Sequence, residues 1–455
     1  MQRNDPITRP IGRLISPGGL TAAGLAVMLS LIVAVPVARG QIRDRIIQRR
    51  FESMDKNGDG KLSAAESPNQ MAIQRFDKDA DGALSLDEFR SLATAMLDRR
   101  AQPQTPPAIG PHQPAPVDAN RLSPAMPLTA ESIVAAARYN AQQRGISMWV
   151  MYDGKLIYQD YPNGGAADRA HELASGTKTF NAAIACAAID DGLLRWDERV
   201  SDTITSWRSD PRKRDITVEQ LLRLTSGIKA VEGKIGRVPA YVDAIRFESV
   251  AEPGTEFAYG PVPFQCFGEL MRRKLTAAGV ADDPLDYLNQ RVFEPIGLKY
   301  DRWRRDANGQ PHMPSGAYLT ASQWAKFGEL IRNRGRVGDR VILSEASIER
   351  CMSGGDINPT YGIATWLNQP ISEAQRRKIP QLRRGTDAMM STELPSDLVF
   401  AAGAGKQRLY VIPSLKLTIV RQSDKILESL NGKISAFSDQ AFLTRLLVDR
   451  DRRSN

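Results

Sequence analysis

The sequence predicts an α+β fold: an antiparallel sheet flanked by helices, with a small all-α module ahead of it. Three observations carry the prediction. Apolar runs joined at Asp153-Gly154, and again over Pro413-Ser414, read as hairpins near the two ends of one large region. Helical patterns fill the chain between those hairpins, which suggests one sheet packed by helices on its faces. Ahead of a proline-rich stretch, a twelve-residue acidic pattern occurs twice in register. The 455 residues allow more than one domain, and 42% hydrophobic with 25% charged residues is ordinary globular composition. The boundaries read as 1–40, 41–100, 101–128 and 129–455.

The first segment holds Arg3, Arg9, Arg13 and Arg39 against Asp5, so +3 of the net charge of +9 lies there. The remaining charge is scattered and reads as solvated surface, because nucleic-acid binding needs a clustered basic patch. Leu20 to Val37 is an uncharged apolar run. Ala38-Arg39-Gly40 follows with small residues where a signal peptidase reads, so a secretory signal cleaved before Gln41 is expected. The run is also just long enough to span a bilayer, which makes an uncleaved membrane anchor the alternative. Both readings put the rest of the chain outside the cytoplasm, periplasmic or secreted, touching a membrane only through that segment.

The second segment carries the acidic repeat. Asp55-Lys56-Asn57-Gly58-Asp59-Gly60-Lys61-Leu62-Ser63-Ala64-Ala65-Glu66 matches the EF-hand calcium loop. Asp55, Asn57, Asp59 and Ser63 supply short ligands, Lys61 its carbonyl, and Glu66 two oxygens. Gly60 permits the sharp turn. The pattern returns from Asp77 to Glu88, with Asp77, Asp79, Asp81, Ala83, Ser85 and Glu88 as ligands and Gly82 at the turn. Leu62 and Leu84 hold equivalent places, as expected if the loops pair through a short strand bridge. The stretch between Glu66 and Asp77 is short and contains Pro68, so the middle helices must be short. A structural or extracellular-type Ca²⁺ module fits this better than an opening sensor. The third segment, Ala101 to Leu128, is rich in proline and reads as a semi-rigid linker.

The fourth segment opens with a helical stretch, Ala130 to Arg144. The hairpin of Met148 to Tyr152 and Lys155 to Tyr158 follows. Further on, Thr217-Val218-Glu219-Gln220 is a capping-box start to a short helix ending near Gly227. Arg408 to Ile412 and Leu415 to Val420 form the second hairpin, and a last helix runs from about Ser438 to Asp449.

Between the hairpins, His171-Glu172-Leu173-Ala174-Ser175-Gly176-Thr177-Lys178 leads into Thr179 to Ile189, apolar on nearly every side. A helix hydrophobic all round is buried, and Gly192 suits the left-handed residue that closes it. Spacing of three puts Ser175 and Lys178 on one helical face. Burial lowers the pKa of Lys. A neutral Lys can take the proton of a nearby hydroxyl, which makes Ser175 a nucleophile. The helix N-terminus favours negative charge developing there. Alone, the pair fits equally a capping Ser and a Lys that reaches water, so its surroundings decide.

Those surroundings resemble a known family. His171 to Lys178 is similar to the nucleophile motif of the serine β-lactamase and penicillin-binding-protein superfamily, in particular of class C β-lactamases and related esterases and peptidases. Ile216 to Gly227 is similar to the helix-and-turn segment that follows in that branch. Pro253 to Tyr259 resembles the approach to its second motif, and Met313 to Thr320 and Tyr361 to Thr365 resemble later segments. The resemblance covers about Leu128 to the end and implies a β-lactamase-like fold. It implies that Ser175 is acylated, that Lys178 holds or accepts its proton, and that Tyr259 is a second base. The phenol pKa of Tyr259 would be lowered by Lys178, and Tyr259 would then donate to the leaving group. The N–H of Ser175 and a strand residue within Gly403, Ala404, Gly405, Lys406 and Gln407 would form the oxyanion hole, with Gly403 to Lys406 also binding substrate. The resemblance implies no catalytic cofactor.

Two departures bear on substrate. The second motif commonly reads Tyr-x-Asn, and here it is Tyr259-Gly260-Pro261. The third commonly has Lys, His or Trp before Thr-Gly or Gly-Gly, and here Ala404 takes that place with Lys406 after Gly405. Both weaken the case for β-lactam or D-Ala-D-Ala substrates and leave acyl transfer intact. The function expected is therefore an exported serine hydrolase that cleaves a small-molecule or peptide-like ester or amide through an acyl-enzyme, beside a Ca²⁺-binding module. The alternative is a calcium-binding surface protein with a catalytically silent β-lactamase-like domain. Cys186, Cys266 and Cys351 are too few and dispersed for a disulfide framework or a zinc site. His112, His171 and His312 leave little room for His-based catalysis.

Overall fold

The computed structural model of the protein describes residues 44, 47–49, 51–63, 66, 76–79, 81–101, 112–230, 237–379, 391–431 and 436–448. The apolar run from Leu20 to Val37, the start of the proline-rich stretch and the segment joining the two acidic loops lie outside these residues. No described helix is long and apolar enough to cross a membrane. The chain divides into two compact units, Met1–Ala108 and Ile109–Asn455.

In the first unit, strand β1 (Lys61–Ser63) pairs antiparallel with β2 (Ala83–Ser85), placing Leu62 opposite Leu84. Each strand follows a glycine in the left-handed region, Gly60 at φ 78° and Gly82 at φ 84°, a conformation Gly adopts at no steric cost. Helix α1 (Leu86–Ala101) leaves directly from β2. Leu62 and Leu84 are fully buried with Ile47, Phe51, Phe89 and Leu92, and Phe51 meets Phe89 edge-on at 5.6 Å.

The second unit is built on a six-stranded sheet. Its strands are β3 (Gly145–Tyr152), β4 (Lys155–Asp160), β10 (Trp366–Leu367), β11 (Val399–Gly403), β12 (Gln407–Ile412) and β13 (Leu417–Ser423). Between them in the chain come β5 (His171–Glu172), β6 (Arg302–Trp303) and β7 (Ala317–Leu319), which form a small separate sheet, and the hairpin of β8 (Arg336–Val337) and β9 (Arg340–Val341). The order across the large sheet is β10-β11-β12-β13-β3-β4, antiparallel throughout. The two hairpins expected from the sequence thus share one sheet, joined where β13 pairs with β3. Asp153 (φ 46°) and Gly154 (φ 79°) make the tight turn of the first. The second turns through Pro413–Leu415 and Lys416, so β13 begins at Leu417, two residues later than expected.

Every residue of β13 is buried, because helices cover both faces of the sheet. On one face, α2 (Ala130–Gln142) and α7 (Asp439–Leu446) pack together, with Tyr139 against Phe437 at 5.6 Å. On the other lies α6 (Ala321–Arg332). A Cβ at its Gly328 would stand 2.5 Å from Thr418 Cγ2 and 2.7 Å from Leu409 Cδ1, so only Gly lets the helix come this close. Between α2 and α6 in the chain run α3 (Thr179–Asp190), α4 (Val218–Leu222) and α5 (Val262–Ala277). The capping box of Thr217 and Gln220 starts α4, which ends at Leu222, well short of Gly227. The last helix likewise ends at Leu446 rather than Asp449.

Candidate active site

Ser175 and Lys178 sit on a 3₁₀ turn, Ala174–Lys178, that feeds α3. The sequence places them on the first turn of the helix itself. In a 3₁₀ turn, side chains three apart eclipse each other, which brings this pair closer than an α-turn does. Lys178 Nζ donates to Ser175 Oγ at 2.9 Å. Ala174, just before the nucleophile candidate, has φ 46°. A non-Gly residue held in that region stores strain, as functional sites often do. Ser175 is second in the turn, so its N–H has no partner within it. Gly176 is needed because a Cβ there would lie 2.9 Å from the Trp324 ring of α6.

Lys178 is 4% exposed. It also donates to the Pro314 carbonyl at 3.2 Å, and its ammonium lies 4.9 Å from the Tyr259 ring centre and 5.5 Å from that of Phe264. Burial among these groups pushes its pKa down to about 7, as desolvation disfavours the charged form. Asn181 holds the arrangement from below, donating to the carbonyls of Lys178 and Met313, both at 3.0 Å.

Tyr259 reaches the pair from a distant part of the chain. Its segment is fixed by Ala258 N–H donating to the Leu224 carbonyl at 2.9 Å, after the turn that closes α4. Gly260 follows because a Cβ there would meet the Ala230 carbonyl oxygen at 2.0 Å. Pro261 caps α5, whose Phe264 lies beside Lys178. The half-buried Tyr259 phenol lies within electrostatic reach of Ser175. The expectation that Lys178 lowers its pKa is reversed. Burial holds the phenol above its ordinary value, and Ser175 and nearby Arg408 only partly offset that. A Lys that is itself easily neutralised has little charge to offer.

Trp366 completes this wall and was not singled out in the sequence. Its ring stacks on Tyr259 at 5.6 Å and 26°, and its nearness works against the rise in the phenol pKa. Tyr361 and Phe257 pack edge-on behind it, Tyr361 at 4.7 Å from Trp366 and Phe257 at 5.3 Å from Tyr361. The one signal for Trp366 was its place directly after Tyr361 to Thr365. The Pro314 carbonyl carried none, since any residue offers one.

The Gly403 to Lys406 stretch divides. A Cβ at Gly403 would lie 2.0 Å from the Leu173 carbonyl oxygen and 3.1 Å from Gly176 N, so this strand end presses on the Ser175 turn. Gly405 does not: its hypothetical Cβ meets Ile426 N at 2.6 Å. The Ala404 carbonyl accepts from Gln407 at 3.4 Å. Lys406 is turned away, its Nζ 3.0 Å from Asp439 Oδ2. Asp439 is buried, also takes Arg408 Nε at 2.6 Å, and is held well below the ordinary carboxylate range chiefly by Arg408, against its burial. That pairing removes Lys406 as a grip for a substrate carboxylate.

In the first unit, both predicted loops close on their own carboxylates. Asp55 accepts from Gly58 N at 2.8 Å and Gly60 N at 2.9 Å, while Asp77 accepts from Gly82 N at 2.9 Å. Asn57 donates to Asp59 at 2.8 Å. Ser63 Oγ and Ser85 Oγ donate to Glu66 and Glu88, each at 2.7 Å. Ser63 holds Glu66 below its ordinary pKa, and the Lys78 N–H, followed by Ser85, does the same for Glu88. Asp77, Asp79 and Asp81 each bring an oxygen within 4.8 Å of the others, and desolvation holds Asp79 above its ordinary value. Crowded carboxylates of this kind fit a hard divalent cation. Lys61 offers its ammonium to Asp81, and Ala83 N–H donates to Asp81 at 2.9 Å.

The β-lactamase family profile matches residues 130–421, and the EF hand profile matches 47–66 and 70–93. A search of the curated proteins found no match. Among solved structures, a candidate β-lactamase from Bacteroides dorei DSM 17855 is similar at 18% identity and TM-score 0.54, over 72% of this chain and 98% of that one. EstCE1, a hydrolase with promiscuous acyltransferase activity, is similar at 16% identity and TM-score 0.50, over 69% and 97%. A penicillin-binding protein homologue from Caulobacter crescentus is similar at 15% identity and TM-score 0.50, over 65% and 92%. At these identities the likeness is one of fold.

Proposed function

The chain belongs to the β-lactamase family, and from that premise we propose that it is an exported serine hydrolase cleaving a neutral ester or amide through a Ser175 acyl-enzyme. One observation carries this reading. A buried amine with a pKa of about 7 donates to the Ser175 hydroxyl at 2.9 Å and lies 4.9 Å from the ring centre of Tyr259. In its neutral form Lys178 takes the Ser175 proton as Oγ attacks the carbonyl carbon. The negative charge that develops on the carbonyl oxygen meets the Ser175 N–H and the backbone at Gly403. Tyr259 donates its phenol proton to the leaving alcohol or amine and regains one from the Lys178 ammonium beside it. Water then attacks the ester of Ser175, and the same groups return the proton to Oγ.

The surroundings favour an uncharged substrate. Pro261 has no amide to offer, Ala404 no cation, and the Lys406 ammonium is committed to Asp439. Phe257, Tyr361 and Trp366 supply an apolar wall instead. The apolar run of Leu20 to Val37 supports export. The two EF loops would bind Ca²⁺ through Asp55, Asn57, Asp59, Lys61, Ser63 and Glu66, and through Asp77, Asp79, Asp81, Ala83, Ser85 and Glu88. When bound, the ion would pin each loop and supply charge neutralisation to its carboxylates; it takes no part in acyl transfer.

Mass spectrometry of the intact protein after treatment with a fluorophosphonate, and separately with a penicillin, tests the proposal. A single adduct on Ser175 with the first and little or none with the second is expected. No adduct with either would leave a calcium-binding protein with a silent domain, a reading that Pro261 and the committed Lys406 favour.

A further inference from the structure

Cys186 and Cys351 lie 165 positions apart in the chain, yet their Sγ atoms are 3.4 Å apart, both buried. Cys186 sits on α3, the helix that begins beside Lys178. Cys351 ends the helix Glu345–Cys351, and its carbonyl accepts from Ile363 N–H at 3.0 Å, in the segment that carries Tyr361 and Trp366. The two helices are also joined where Ser344 donates twice to Asp190, at 2.7 Å each. The thiols therefore bridge the nucleophile helix and the base of the aromatic wall. A disulfide requires sulfurs ~2.05 Å apart, so the pair must close by about 1.4 Å. Room for that shift exists: both cysteines line an apolar cavity of about 30 Å³ with Thr179, Ala183 and Thr365.

We propose that Cys186 and Cys351 form a disulfide in the exported protein, a staple between the Ser175–Lys178 helix and the wall behind Tyr259. The proposal uses the exported location but not the catalytic one. The oxidant is a thiol–disulfide oxidoreductase in its disulfide form, or oxidised glutathione. One protein thiolate attacks a sulfur of the oxidant and expels its other sulfur as a thiolate. The second protein thiolate attacks the mixed disulfide, forming the Cys186–Cys351 bond and releasing the second oxidant thiolate. The protein loses two protons and two electrons, and the oxidant gains them as two thiols. Because both thiols are buried, the bond forms as the chain folds. In the folded state burial and the neighbouring Cys351 hold the Cys186 thiol well above its ordinary pKa, so a pair once reduced and folded resists reaction.

Cys266, buried on α5, is the internal control. The full chain is expressed with its own N-terminal segment into an oxidising compartment, trapped with a maleimide under denaturing conditions and digested without reductant. The expected result is one cross-linked peptide pair holding Cys186 and Cys351, with Cys266 alone labelled. Refolding from denaturant in a glutathione redox buffer should give the same pair, which tests the geometry without relying on export. Reductant should lower the thermal midpoint of the linked protein by about 5 °C. Cys351→Ala should show no such reductant effect, and Cys266→Ala should keep it. Three labelled thiols after both routes would overturn the proposal, as would linkage to Cys266 in comparable amount. Neither result touches Ser175 labelling.

Discussion

The two predicted chemistries of this chain are built in opposite ways. The two EF-hand loops would take all their Ca²⁺ ligands from twelve consecutive residues each, most of them exposed or half-buried. The candidate site at Ser175 and Lys178 brings in Tyr259 and Trp366 from separate segments and would work by taking a charge out of water. In the first case local spacing suffices. In the second, the useful property, an amine with a pKa near 7, exists only because distant residues bury it. The contrast teaches that removing one group from the loops should weaken binding in steps, whereas disturbing the buried site should fail nearly all at once.

Experiments can break or sharpen that contrast. The largest effect is expected from Ser175→Ala, which should abolish fluorophosphonate labelling and cut p-nitrophenyl ester turnover by on the order of 10⁴-fold or more. A chelator should leave turnover of the unaltered protein unchanged; a chelator that abolishes it would tie the two regions together and break the contrast. Lys178→Met should cost about 10³-fold in acylation rate. The unaltered protein should show an acylation rate that rises with pH around a midpoint near 7. The sign follows from burial, which lowers the amine pKa: below the midpoint Lys178 is protonated and cannot accept from Ser175. A rate that falls across that range would mean the ammonium is the working form.

Glu88→Gln should weaken Ca²⁺ binding at the second loop by roughly 100-fold by calorimetry, because one oxygen of a two-oxygen charged ligand is replaced. Ser175 labelling should not change. Trp366→Phe keeps an aromatic ring on Tyr259 but loses the indole N–H, and a fall of about fivefold in turnover is expected. The pH profile should shift upward with it, a change that loss of packing alone would not produce. Lys406→Met should have the smallest effect, leaving turnover of a neutral ester unchanged. A large loss with carboxylate-bearing substrates alone would return Lys406 to the binding site.

Much of the fold was readable because it rests on local chemistry. Asp153-Gly154 forces a tight turn wherever it lies between apolar runs, and Thr217 caps its helix by bonds within four residues. The β-lactamase-like motifs were likewise continuous segments. Other features had no such signature. Ser175 and Lys178 share a 3₁₀ turn rather than an α-turn, at a place where the strand end at Gly403 and the Trp324 ring approach the backbone closely. Lys406 turns away because Asp439, 33 residues on, already sits between it and Arg408.

The sequence by itself determined the spacing of the candidate ligands in the two loops, the hairpin turns, and the presence of a serine, a lysine and a tyrosine of the kinds acyl transfer needs. It could do so because backbone dihedrals, caps and loop spacings are properties of neighbouring residues. Tertiary structure alone decided how far those groups move from their ordinary pKa. Desolvation depends on everything packed around an atom, so the lowered pKa of Lys178, the raised phenol of Tyr259, the Trp366 stack and the neighbouring thiols of Cys186 and Cys351 emerge only when distant segments meet.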